Sequence, residues 1–319
     1  MLITYDINAH LPKLYYYFRI IKATKMFDKE KALIIINPAS GTGKQKSVLK
    51  AIEKGIDRIN FDYEIKETLY AGHASQIARQ AATDGYDIVV AVGGDGTINE
   101  VASELVDTQT KMGIIPCGSG NGLARCLKIP LSPEKAVEVL NDNKMKRIDT
   151  MLVNDNFCAS IAGIGFDALI AKEFQEKPKN KRGLQSYLQL IATQYPKYEA
   201  CTFKLEINGK TSVHKAMFIC FANANQFGFN AMVAPDSRID DGLIDICIVK
   251  NIPLISATPT ALLLMTKNIN LSPRVKIIKA NSVKVSCNLN EWANIDGEAI
   301  KVGKTLDISI KHKSLMVIC

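Results

Sequence analysis

Residues 92–100, Val-Gly-Gly-Asp-Gly-Thr-Ile-Asn-Glu, set one carboxylate, Asp95, among Gly93, Gly94 and Gly96, directly after the apolar run Ile88-Val89-Val90-Ala91. Glycine has no Cβ and tolerates positive φ, so such a backbone can lie against a chain of phosphates. A helix-like stretch over 98–105 follows, and the N–H groups that open a helix add partial positive charge. Asp95 can hold a metal ion or meet an attacking hydroxyl. The segment points to phosphoryl transfer from a nucleotide. The same string also reads as a tight turn between strand and helix, so other segments have to decide.

Two further loops share its character. Asn37-Pro38-Ala39-Ser40-Gly41 ends the apolar run Ala32–Ile36; Asn37 and Ser40 can bond phosphate oxygens, and Gly41 permits close approach. A Walker A loop is excluded, because Gly43-Lys44 is followed by Gln45 and has no glycine at the required offset. Gly118-Ser119-Gly120-Asn121 closes the third loop, with Ser119 placed to touch a phosphate and Asn121 to cap the next helix. Later, Asp240-Asp241-Gly242-Leu243 and Ile295-Asp296-Gly297-Glu298 each contain Asp-Gly, a strong hairpin signal. Asp296 and Glu298, flanking a glycine near the single Trp292, also make a compact acid/base pair.

The elements that must position these residues are legible. Strand-like runs at Ala32–Ile36, 63–69, 87–92 and 112–115 alternate with helix-like runs at 44–55, 73–83 and 133–140. That alternation predicts a parallel, Rossmann-like α/β sheet, and ligands bind such sheets at the carboxyl ends of their strands. All three loops lie at such ends. The character changes near 141–146. Beyond Ile148, strand-like runs (157–161, 202–207, 216–222, 244–249, 283–286, 306–310) and turn signals predict a mostly antiparallel sandwich. Helix-like stretches interrupt it at 166–174 and 184–195.

Bulk properties narrow the partners. The chain has 319 residues, 47% hydrophobic and 23% charged, as a folded protein of two domains would have. A net charge of +8 favours anionic partners: a nucleotide, nucleic acid or an acidic membrane surface. Lys177, Lys179, Lys181 and Arg182 form one tight basic cluster, read as a solvated loop, and no nucleic-acid module is recognisable. The eight cysteines show no C-x-x-C spacing, so a zinc site is not expected and a reducing, cytoplasmic compartment is. No run reaches the ~20 apolar residues of a membrane span; 252–265 comes nearest, broken by Pro253 and Pro259, and reads as a buried helix or a lipid-facing lid. Residues 1–30 fit neither domain, and Met26 is expected to be the natural start or 1–25 a poorly packed extension.

Taken in order, Asn-Pro-x-Ser-Gly, Gly-Gly-Asp-Gly-Thr-Ile-Asn-Glu, Gly-Ser-Gly-Asn-Gly-Leu-Ala-Arg, Asp-Asp-Gly and Asp-Gly-Glu resemble the diacylglycerol kinase catalytic-domain family over residues 31–319, and within it the bacterial lipid kinases. The resemblance implies an α/β ATP-binding domain over 31–143, rejoined by 310–319, a β-sandwich lipid domain over 144–309, and an active site in the cleft between them. ATP would then contact Asn37, Pro38, Ala39, Ser40, Gly41, Thr68, Gly93, Gly94, Asp95, Gly96, Thr97, Ile98, Asn99 and Ser119. Magnesium would lie at the Asp241 side chain and the backbone oxygens of Arg238 and Leu243, with Asp95 helping to hold a magnesium network. Glu298, with Asp296 beside it, matches the general base.

The implied reaction is transfer of the γ-phosphate of ATP to the primary hydroxyl of a lipid, diacylglycerol before others, at the inner face of a membrane. A homodimer stays open. Residues 118–124, Gly-Ser-Gly-Asn-Gly-Leu-Ala, depart from the Gly-Thr-x-Asn-Asp-Phe-Ala of many bacterial diacylglycerol kinases and are similar to the sphingosine and ceramide kinase branch. A sphingoid base would need a carboxylate for its ammonium, and Asp167 is the candidate, at a spacing that differs from that branch. An NAD kinase, which shares Gly-Gly-Asp-Gly-Thr, and a non-catalytic lipid-binding protein on a kinase fold are the rivals.

Overall fold

A computed structural model describes residues 29–40, 45–178, 183–228, 231–288 and 291–319. Gly41, the extension 1–28 and three members of the basic cluster, Lys179, Lys181 and Arg182, lie outside the described residues.

The first half alternates strands β1 (Glu30–Ile36), β2 (Phe61–Glu67), β3 (Ile88–Gly93) and β4 (Lys111–Pro116) with helices α1 (Gln45–Gly55), α2 (His73–Thr83), α3 (Asp95–Leu105), α4 (Gly122–Cys126) and α5 (Pro133–Asp142). The strands pair in parallel in the order β2-β1-β3-β4. Every residue of β3 is buried, as a central parallel strand covered on both faces must be. Helix α2 buries Ala74, Ile77, Ala78 and Ala81, the i, i+3, i+4, i+7 stripe of one packed face. Helix α5 starts with Pro133 in its first turn, where the missing N–H costs nothing.

The second half holds β5 (Met145–Val153), β6 (Asn156–Cys158), β7 (Ile161–Gly165), α6 (Phe166–Glu176), α7 (Leu184–Gln194), β8 (Cys201–Ile207), β9 (Lys210–Ala216), β10 (Phe218–Ala222), β11 (Ile244–Val249), α8 (Leu254–Met265), β12 (Val275–Ala280), β13 (Ser282–Ser286), β14 (Trp292–Ile295), β15 (Glu298–Lys301) and β16 (Thr305–Ile318). One sheet runs β12-β11-β10-β7-β14-β15, antiparallel throughout. It packs on β16-β13-β8-β9 through buried Phe203, Leu205, Phe221, Ile246 and Val285. Strand β8 alternates buried and exposed residues, the period-2 mark of a sheet with one face on the core.

Strand β16 ties the halves together. Its first part pairs with β13, Val317 pairs in parallel with Met112 of β4, and β5 runs antiparallel along it with a register shift between Lys311 and Leu315. Leu315, Val317 and Ile318 thereby enter the core of the first half.

Several boundaries differ from the sequence reading, each for a local reason. The run at 157–161 divides into β6 and β7, because the N–H groups of Ala159, Ser160 and Ile161 are taken by the Asp296 carboxylate. Helix α3 begins at Asp95, with Gly94 as its extended N-cap. The last strand continues past residue 310 to Ile318. Strands β9, β12, β14 and β15 carry too little apolar alternation, or too few residues, to announce themselves. Helix α8 contains Pro259, and Leu262 and Met265 on it are exposed. Among the described residues no helix is long and apolar enough to cross a membrane.

Candidate active site

Three loops at the carboxyl ends of β1, β3 and β4 meet at the start of α3. Asn37 bridges two of them: its Nδ2 donates to Thr97 Oγ1 at 2.9 Å, while its Oδ1 accepts from Ala39 N. Ser40 Oγ donates to Asn37 O at 2.7 Å. Thr68, buried just past β2, donates its N–H to Ile36 O. Pro38, Ala39 and Ser119 are exposed on the rim.

Glycine is required where these loops touch. A Cβ on Gly118 would lie 2.6 Å from Gly94 Cα, and one on Gly93 would lie 2.5 Å from Thr97 Cβ. Asp95 clasps the same two loops: Oδ2 accepts from Asn121 N at 2.8 Å and Oδ1 from Gly122 N at 2.7 Å. Burial raises the Asp95 pKa, opposed by those backbone bonds. Ile98 stands apart from the other predicted contacts. Its side chain is core and its N–H is spent on Gly94 O, so it has nothing to offer a nucleotide directly. Asn99 Oδ1 is buried without a hydrogen-bond partner, as is expected of an acceptor waiting for a donor.

Across the cleft, β14 and β15 form a hairpin whose two turn residues, Asp296 and Gly297, have φ 49° and 95°, a left-handed turn that Asp-Gly adopts readily. The two carboxylates beside Gly297 have parted company. Asp296 turns inward and accepts from Ala159 N (2.6 Å), Ser160 N (2.8 Å) and Ile161 N (3.0 Å). Burial raises its pKa to about 6 against those bonds. Glu298 stays exposed, and its Oε1 would lie 3.4 Å from a Cβ placed on Gly96 of α3. A carboxylate from the second half therefore reaches the glycine motif of the first. Partial burial in the cleft, and then the charge of Glu100, raise the Glu298 pKa.

Helix α6 supports this hairpin. Asn294 Nδ2 donates to Asp167 Oδ2 at 3.0 Å, Asn294 Oδ1 accepts from Gly297 N, and Gln175 Oε1 accepts from Ala299 N. Asp167 is buried, which raises its pKa to about 6.

Asp149 was not read from the sequence. It is fully buried on β5 and accepts from Gly242 N (2.7 Å) and Lys313 N (2.6 Å), with His312 Nδ1 at 2.8 Å. A lone carboxylate inside the apolar Ile148–Val153 stretch was the available signal. The neighbouring turn carries Arg238, Asp241 and Leu243, the residues that the resemblance implies for magnesium. Asp241 Oδ1 accepts from Leu243 N, Asp241 Oδ2 lies 3.0 Å from Lys279 Nζ, and Arg238 is exposed with its guanidinium 3.6 Å from Asp240. Among the described residues no group of three or more His, Cys, Asp or Glu side chains is arranged to hold a metal.

Glycine loops at one edge of a parallel sheet, faced by a carboxylate from a second, antiparallel layer, define a two-part phosphotransferase. Residues 31–153 match the diacylglycerol kinase catalytic domain, and residues 160–319 match the YegS C-terminal NAD kinase beta sandwich-like domain. The chain belongs to the diacylglycerol kinase family and is a lipid kinase that uses ATP. It is 31% identical to a diacylglycerol kinase of Bacillus subtilis (strain 168) over 273 residues, 84% of this chain and 90% of that one. A Staphylococcus saprophyticus diacylglycerol kinase is 28% identical over 85% of this chain and 89% of its own. The crystal structure of a diacylglycerol kinase from Bacillus anthracis has the same fold, with TM-score 0.69 at 20% identity over 91% of this chain and 96% of that one.

Proposed function

We propose that this chain transfers the γ-phosphate of ATP, with magnesium, to the primary hydroxyl of diacylglycerol, giving phosphatidic acid at a membrane surface. The observation that carries the reading is the approach of Glu298 to Gly96 across the cleft. It sets one exposed carboxylate beside the glycine loops at the ends of β3 and β4.

Magnesium-bound ATP brings the phosphoryl group and offsets part of its negative charge. The unpartnered Asn99 Oδ1 and the close-packed Gly94 and Gly118 fit a nucleotide in this place. Asn37, Pro38, Ala39, Ser40, Thr68 and Ser119 line its approach, and the opening turn of α3 directs N–H groups towards it. Asp95 fixes the spacing of the two glycine loops; a carboxylate oxygen accepts more than one bond, so Asp95 can also meet the metal. Glu298 accepts the proton of the attacking hydroxyl. Asp296 is the anchor of the hairpin, since three backbone N–H groups occupy its carboxylate. Phosphoryl transfer needs little more than in-line positioning and charge neutralisation.

Asp167 favours a neutral acceptor. Its carboxylate is buried and engaged with Asn294, which sets it away from the surface where the ammonium of a sphingoid base would arrive. The test is transfer from labelled ATP, with magnesium, to diacylglycerol, a sphingoid base, ceramide, undecaprenol and NAD in parallel. Labelled phosphatidic acid is the expected product. Label in the sphingoid base or ceramide would move the acceptor to that branch, and label in NAD alone would overturn the lipid reading.

A further inference from the structure

We infer that Lys279 acts as a tethered cation at the Asp241 turn, so that this turn holds its shape without the magnesium ion that the family resemblance implies there.

Strand register places the lysine. Lys279 of β12 lies directly opposite Asp245 of β11, and Asp245 follows Asp241 by one short turn. The Lys279 ammonium lies 3.0 Å from Asp241 Oδ2 and 3.3 Å from Asp245 Oδ2. The side chains of Asp245 and Asp241 are only 3% and 19% exposed, while that of Lys279 is 38% exposed, so the ammonium meets two sheltered carboxylates from the surface. The remaining carboxylate of the turn, Asp240, faces Lys146 at 3.2 Å and Arg238 at 3.6 Å. Three carboxylates thus face three cations.

A magnesium ion would add two positive charges to a turn whose three carboxylates already face three cations, a few ångströms from the Lys279 ammonium. Magnesium also demands a near-octahedral oxygen shell and sheds water reluctantly, and the Lys279 ammonium, a like charge, already lies 3.0 Å from Asp241 Oδ2. The Arg238, Asp241 and Leu243 set therefore does not fit a resident ion.

The test uses the full chain without nucleotide, so it stands or falls apart from the acceptor and from activity. Thermal unfolding of the wild type is expected at the same midpoint in EDTA and in millimolar magnesium chloride. Lys279→Gln, which strands two carboxylates, is expected to unfold at least about 2–4 °C lower in EDTA and to recover part of that in magnesium. Titration with manganese, followed by its electron paramagnetic resonance, is expected to show one bound ion per chain in Lys279→Gln that Asp241→Asn removes, and none at this turn in the wild type. Lys279→Arg, which keeps the charge, is expected to match the wild type, and decides the matter if Lys279→Gln does not fold. A wild type that binds one manganese ion lost in Asp241→Asn, or a folded Lys279→Gln indifferent to metal, would overturn the proposal.

Discussion

Two carboxylates two positions apart, on either side of Gly297, have opposite fates, and the difference is measurable. Glu298 is exposed and, among the described residues, makes no hydrogen bond that its loss would strand, so Glu298→Gln should cut turnover at least ~10²-fold with an unchanged melting midpoint. Asp296→Ala should instead lower the midpoint, because it leaves three backbone donors without an acceptor at about 1–3 kcal/mol each. Loss of activity without loss of stability in Asp296→Ala would reverse the two roles. The pH profile follows from the raised Glu298 pKa. The base works only when ionised, so kcat/KM should fall as pH drops through a midpoint above the ordinary glutamate value. Glu100→Gln removes the neighbouring like charge and should shift that limb to lower pH, while burial keeps it from returning fully. A limb that does not move would exclude Glu100 as a cause.

At the scale of elements, the nucleotide edge depends on how closely two loops pass. Gly118→Ala would press a Cβ against Gly94 Cα at 2.6 Å, forcing the β3–α3 and β4–α4 loops apart. Overpacking of this kind costs about 1–3 kcal/mol, and the KM for ATP should rise while the KM for lipid stays put. Equal rises in both would mean that the whole cleft had moved. The glycines themselves were legible in the sequence. Which pairs of them meet was not, since Gly94 and Gly118 are brought together only by the pairing of β3 with β4.

For the whole molecule, β16 decides whether the two halves can behave independently. Ile318 is fully buried in the first core while the start of the same strand pairs with β13 in the second. Ile318→Ala should cost about 2–5 kcal/mol and lower a single calorimetric transition for the whole protein. Two transitions, with only one displaced, would show that the halves unfold separately. The net charge of +8 argues at the same scale for contact with an anionic membrane surface. Binding to vesicles of acidic lipid should weaken steeply as salt rises, and salt-insensitive binding would count against it.

The sequence by itself determined the parallel and antiparallel halves, because hydrophobic period and Asp-Gly or Asn-Gly turns are local properties of the chain. It also determined the three loops at the strand ends and the Asp296-Gly297-Glu298 turn. Only the tertiary structure separated Glu298 from Asp296, buried Ile98 and Asp167, and revealed Asp149 and Lys279 as the holders of the Asp241 turn. Those outcomes depend on strand register and on contacts between residues more than a hundred positions apart, such as Asp296 with Ala159, and no local pattern encodes which side chain such a contact will claim.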